Sequence, residues 1–79
     1  MKYVYLLRSV SFPERHYVGC TSNLPRRLEE HNSGQSMHTK KFIPWDLQAY
    51  FAFTDHGKAD AFEKYLKTGS GRAFAKKHF

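Results

Sequence analysis

The sequence predicts a small α+β domain, a three-stranded antiparallel sheet flanked by helices, in one unit over residues 1–79. Three observations carry that expectation. Two β-like runs, Lys2 to Ser9 and Arg15 to Thr21, flank a short turn; a third run, Trp45 to Phe53, follows later; and the segments after the second and third runs have helical spacing and capping residues. A chain of 79 residues has room for one domain, near the lower limit at which an apolar core holds without a staple. With 41% hydrophobic and 16% aromatic residues, that core leans on Phe, Tyr and Trp.

The first run puts Tyr3, Tyr5 and Leu7 on one face and Val4 and Leu6 on the other, the pattern of a strand buried on both sides. Ser11 and Pro13 give the next segment a turn composition, so Arg15 to Thr21 pairs back as a hairpin that makes Tyr5 and Tyr17 neighbours. Ser22 or Asn23 can cap a helix with Pro25 in its first turn and Leu24 and Leu28 on its apolar side, ending at Asn32-Ser33-Gly34. Gln35 to Pro44 is polar and basic and reads as a flexible surface loop. In the third strand Leu47, Ala49, Phe51 and Phe53 alternate with Gln48 and Tyr50. Thr54 or Asp55 caps a helix from His56 to Thr68 with Ala59, Phe62 and Leu66 as its stripe; Gly69 and Gly71 break it, and Arg72 to His78 forms a last turn or two packed by Phe74.

Thirteen Lys and Arg against seven Asp and Glu give a formal charge of +6, which draws polyanions and speeds encounter with them. Nucleic acid is the expected partner class; a basic solvated surface without a ligand is the alternative. The single Cys20 excludes an internal disulfide and suits a reducing, cytoplasmic setting. The longest apolar runs fall far short of the roughly 20 residues of a membrane span, and the N-terminus lacks the apolar core of a signal peptide. His16, Cys20 and His38 lack the spacing of a closed zinc site.

The chemistry-bearing residues are Tyr3-Val4-Tyr5, Tyr17-Val18-Gly19, and Arg27 with His31 one helical turn later. Tyrosine hydroxyls on paired strands beside a helix-borne guanidinium and imidazole can bind a phosphate and handle a proton, so the pattern points to phosphodiester cleavage. Arg26 and Arg27 point about 100° apart on a helix, so only one can face the site; Arg26 suits an exposed i,i+4 pair with Glu30. Taken alone, each residue also has a plain reading: strand aromatics, an exposed arginine, a helix-end histidine, and a Glu63–Lys67 surface pair.

In order along nearly the whole chain, these motifs resemble the small stand-alone members of the GIY-YIG nuclease family. Val4-Tyr5 and Tyr17-Val18-Gly19 match the name-giving motifs, with Tyr3 where the name has glycine. Asn23-Leu24, Arg26-Arg27-Leu28 and His31-Asn32 match the following helix, and Glu63 falls at the family's acid. The Thr-Lys-Lys segment before Pro44-Trp45 and Gly69-Ser70-Gly71-Arg72 match the small members. The resemblance implies a metal-dependent endonuclease acting on DNA, ahead of RNA, with Tyr5, Tyr17, Arg27, His31 and Glu63 at the catalytic site. Tyr17 stands near the attacking water and Arg27 clamps phosphate. His31, as the one group titrating near neutrality, can take a proton. Glu63 binds a single Mg2+ or Mn2+, for which one carboxylate suffices. A phenol with its ordinary pKa near 10 serves as base only when cations stabilise the phenolate. Lys40, Lys41 and Arg72 are expected to contact nucleic-acid backbone, which sets affinity without reading sequence. Small members lack the additional domains of larger relatives, so the resemblance leaves room for a protein partner that supplies specificity, and a non-catalytic nucleic-acid-binding module on the same fold is the alternative.

Overall fold

β1 (Lys2–Ser9) is the central strand, paired antiparallel with β2 (His16–Thr21) on one side and β3 (Trp45–Phe53) on the other, in the order β2-β1-β3. The computed structural model describes residues 1–79. Central placement explains the composition of β1. Val4, Tyr5, Leu6 and Leu7 are all buried, because successive side chains enter opposite faces and both faces are covered. On one face Val4 and Leu6 pack with Ala59 and Leu66, backed by Val18, Phe51, Phe53 and Phe62. On the other, Tyr5 and Leu7 pack with Leu24 and Trp45, backed by Tyr17, Leu28 and Phe42. The helices that contribute Leu24 and Ala59 therefore sandwich the sheet. Tyr3, the departure from glycine, is half-buried with its ring edge-on to Tyr50 at 6.1 Å.

α1 (Leu24–Asn32) begins where the Asn23 side chain accepts from the Arg26 amide at 3.2 Å, which fills one of the orphan donors of the first turn. It ends at Gly34, whose φ of +82° is left-handed, while the Gln35 amide bonds back to the Glu30 carbonyl at 3.1 Å. Asn32 then fixes this end to β3, donating to the Trp45 carbonyl at 3.1 Å and accepting from the Trp45 amide at 2.6 Å.

The loop from Gln35 to Pro44 lies mostly at the surface, as expected, but it is anchored at points that residue type did not suggest. Ser36 and Thr39 are buried, Lys40–Phe42 forms a 3-10 turn, and the Phe42 carbonyl accepts from the Ser9 hydroxyl at 2.7 Å. The Thr39 hydroxyl points inward because His31 Nδ1 meets it there at 2.8 Å, which residue type alone does not reveal.

α2 (His56–Leu66) is capped by Asp55, whose carboxylate accepts from the Lys58 amide at 3.2 Å. It stops two residues earlier than expected, and Thr68 starts α3 (Gly69–His78) by accepting from the Gly71 amide at 3.1 Å. Gly69 and Gly71 thus open a helix and do not break one. A Cβ on Gly71 would fall onto the Tyr65 carbonyl oxygen and 2.6 Å from the Leu66 Cα, so glycine permits the tight corner between α2 and α3. Ala75 packs toward the core, whereas Phe74, expected there, is an outward-facing ring near Tyr65 and His78. No helix is long and apolar enough to cross a membrane.

Candidate active site

Tyr5 lies directly across from Gly19 in the β1–β2 register. A Cβ on Gly19 would meet the Tyr5 hydroxyl and ring, 2.9 Å from Cε1, so the glycine opens the path by which the phenol leans over β2 toward α1. The hydroxyl ends 2.8 Å from His31 Nε2, and His31 Nδ1 lies 2.8 Å from Thr39 Oγ1. The Thr39 carbonyl in turn accepts from Trp45 Nε1 at 2.9 Å. Trp45, Thr39, His31 and Tyr5 therefore form one buried hydrogen-bonded chain from the start of β3 to the centre of β1. Tyr17 covers it half-buried, its ring centroid 5.1 Å from His31 and 6.4 Å from Tyr5.

Burial controls the protonation of this chain. It pushes the Tyr5 phenol up from 10.0 to about 12 against the pull of Arg27, so Tyr5 stays protonated at neutral pH. Burial, followed by the positive charge of Arg27, brings His31 down from 6.5 to about 4. The expectation that His31 titrates near neutrality is corrected: the ring is neutral there, and both nitrogens already face hydroxyl partners.

Arg27, one turn before His31, has its side chain 32% exposed beside this cluster. Nη1 donates to Glu30 Oε1 at 2.9 Å, and Arg26, 75% exposed, reaches the other oxygen at 3.4 Å. Glu30 and then Tyr5 raise the pKa of Arg27, and Arg27 holds the Glu30 carboxyl below its usual range. Sequence spacing suggests Glu30 only as a partner of Arg26; its spacing of three from Arg27 is the signal for the second pair. Thr39 belongs to the Thr-Lys-Lys segment, and nothing in sequence marks it as the partner of a histidine eight residues earlier.

The structure brings Tyr5, Tyr17 and His31 into direct contact, with Arg27 beside Tyr5. Glu63 stands apart. It projects from α2, half-buried, and Oε2 accepts from Lys67 Nζ at 3.2 Å, as the plain reading expects. Its charge nevertheless adds to the upward shifts of Tyr5, Cys20 and Lys2, which puts it within electrostatic reach of the Tyr5 phenol. No group of three His, Cys, Asp or Glu side chains is placed to hold a metal ion. A lone, partly accessible carboxylate fits magnesium or manganese, which keep several waters and accept substrate oxygens, and does not fit a closed zinc site. Lys40 and Lys41 are exposed on the 3-10 turn next to Thr39, while Arg72 lies on α3 and lines a separate groove against the hairpin.

The family model of the GIY-YIG catalytic domain matches residues 1–77. The chain belongs to this family. Among curated proteins it is similar to the structure-specific endonuclease subunit SLX1 of Debaryomyces hansenii, 48% identical over 50 residues, covering 56% of this chain and 14% of that protein. It is also similar to the SLX1 subunit of Scheffersomyces stipitis, 42% identical over 50 residues, covering 56% of this chain and 15% of that protein. The chain thus spans about one seventh of the length of these relatives. The three antiparallel strands, the α+β architecture and the two tyrosine motifs are those of a GIY-YIG domain.

Proposed function

We propose that this GIY-YIG domain is a divalent-metal-dependent endonuclease that hydrolyses nucleic-acid phosphodiester bonds, with DNA the first substrate to test. One observation carries the reading: a partly exposed guanidinium stands beside a protonated phenol whose hydroxyl is held by a buried neutral imidazole, under a second, accessible phenol. In this reaction Arg27 offers planar donors to the scissile phosphate and stabilises charge as it develops there. Tyr17, the accessible tyrosine, positions the attacking water. Tyr5, kept protonated, offers a donor to the same centre. His31 and Thr39 hold Tyr5 in place, so His31 acts through the phenol and not on water directly. Glu63 would hold one Mg2+ or Mn2+, which when bound supplies positive charge at the leaving oxygen.

The similarity to structure-specific endonuclease subunits supports nucleic-acid cleavage and suggests a protein partner that contributes specificity. The test is cleavage of branched, duplex and single-stranded DNA and of RNA in magnesium, with Glu63→Gln alongside. Wild-type cleavage that is lost in EDTA and falls at least about 100-fold in the variant is expected. Equal activity in both proteins rejects the role of Glu63. Binding without cleavage of any substrate supports the alternative, a nucleic-acid-binding module that retains the nuclease fold.

A further inference from the structure

β3 is an edge strand: its one partner in the sheet is β1, and its other side is open. Asn32 closes that side at Trp45, and no other hydrogen bond from outside the sheet reaches the backbone between Asp46 and Phe53. The register passes from Leu7–Leu47 to Leu6–Ala49, which leaves Gln48 as a bulge, and from Ala49 to Phe53 the strand then runs regularly. This stretch carries no charge and no proline, the devices by which edges are ordinarily kept from pairing. Tyr50 and Ala52 stand on the Tyr5 side of the sheet, and Ala49, Phe51 and Phe53 on the side of Val4 and Leu6. Two rings beside the edge are open to solvent: Tyr50 is 54% exposed, and Phe79, 5.4 Å from the Phe51 ring, is 49% exposed. The opposite edge, β2, is shorter, six residues against nine, and bears the Tyr17 and Gly19 of the candidate active site.

We infer that β3 pairs antiparallel with β3 of a second copy of this chain about a twofold axis at Phe51, joining the two sheets in the order β2-β1-β3-β3-β1-β2. In that register Phe51 meets Phe51, each Tyr50 lies opposite an Ala52, and each Ala49 lies opposite a Phe53. Rings thus face alanines or one another, and no charge faces its like. The strand's own sequence supplies the complement, which favours a second copy over an unrelated extended peptide. A twofold contact uses both β3 edges, so assembly closes at two. The exposed halves of Tyr50 and Phe79 offer about 100 Å² of ring each, roughly 400 Å² over two copies. With the edge backbone added, the covered area approaches the roughly 1,000 Å² at which interfaces become specific, so the dimer is reversible, with a Kd of about 10–100 µM. The charge of +6 on each chain opposes association at long range without touching the edge, so salt strengthens the dimer, the reverse of its effect on nucleic-acid binding. Tyr17 and Gly19, on β2, stay open in both copies, and the inference is independent of the proposed reaction.

The experiment is sedimentation equilibrium of the full chain from about 5 to 500 µM, at about 0.1 M and 0.5 M NaCl. A monomer–dimer equilibrium that tightens with salt is expected. The double substitution Tyr50→Lys/Ala52→Lys sets lysines opposite lysines at two exposed positions and weakens the dimer at least about 10-fold, with circular dichroism as in the wild type. Tyr50→Glu/Ala52→Glu has the same effect. An equimolar mixture of the two variants associates again, because each lysine then faces a glutamate, a result that a folding defect in either variant does not produce. A wild type that is monomeric throughout, association that continues beyond two, a lysine variant that dimerises as the wild type does, or a mixture that stays monomeric overturns the inference.

Discussion

Lowering the pH destabilises this protein through His31, because the folded ring resists a proton that the unfolded chain accepts. The pKa of His31 falls from 6.5 to about 4 on folding, with burial as the main cause and Arg27 as the second. Above pH 6.5 the ring is neutral in both states and the linkage costs nothing. Between 6.5 and 4 the unfolded state alone takes up the proton, so stability is lost as pH falls, at up to about 1.4 kcal/mol per pH unit. The whole shift, 6.5 minus 4, amounts to about 3 kcal/mol. A chain of this size has a total stability of roughly 4–12 kcal/mol, so the effect is a large share of it. Both neighbours of the ring are hydroxyls, which can accept as well as donate, so the cost of protonation is the buried charge and not a broken hydrogen bond. Urea unfolding at a series of pH values, compared with His31→Gln, isolates this contribution from the carboxylates and other histidines common to both proteins. The wild type is expected to lose about 3 kcal/mol more than the variant between pH 6.5 and 4. A direct check is the NMR titration of the His31 ring. Parallel pH curves for the two proteins, or a ring midpoint near 6.5, refute the reasoning.

Other perturbations act on the same cluster. Glycine in a strand is ordinarily improved by alanine, but Gly19→Ala drives a methyl into the Tyr5 hydroxyl and ring, so a loss of about 1–3 kcal/mol in urea unfolding is expected, opposite in sign to the propensity effect. Thr39→Val keeps the shape of the side chain and leaves His31 Nδ1 buried without a partner, for a loss of about 1–3 kcal/mol that Thr39→Ser restores. Arg27→Lys retains the charge but not the planar fork, and single-turnover cleavage is expected to fall about 100-fold with the fold intact by circular dichroism.

Most of the fold is legible in the residue pattern because its elements are locally consistent. β1 shows no polar alternation between Val4 and Leu7, as a strand covered on both faces requires, and Asn23 and Asp55 cap their helices where their residue types suggest. The α2–α3 corner was not legible. Gly69 and Gly71 have the low helix propensity of breakers, and only the close approach of Gly71 to the Tyr65 carbonyl and Leu66 reveals why a glycine stands at that position of a first turn. The loop before β3 was obscure for a related reason. Thr39 looks like a surface residue until His31 and Trp45 supply its partners across the fold.

The motifs pointed to Tyr5, Tyr17, Arg27 and His31 as site candidates, and the structure places three of them in contact and the fourth beside Tyr5. The helix spacing of Arg27 and His31 was readable because it is local. The protonation of His31 was not, since a histidine pKa depends on burial by residues distant in sequence. Glu63 is the least local member, separated from β1 by the length of the chain, and its ion pair with Lys67 is what spacing alone anticipates.

The most direct measurement is a crystal grown or soaked with Mn2+ and a short oligonucleotide, with the metal located by anomalous scattering. One manganese ion ligated by Glu63 and by a phosphate oxygen is expected, with Arg27 hydrogen-bonded to that same phosphate and Tyr17 against it. Manganese bound elsewhere, or a phosphate seated on Arg27 with Glu63 still closed on Lys67, would contradict it.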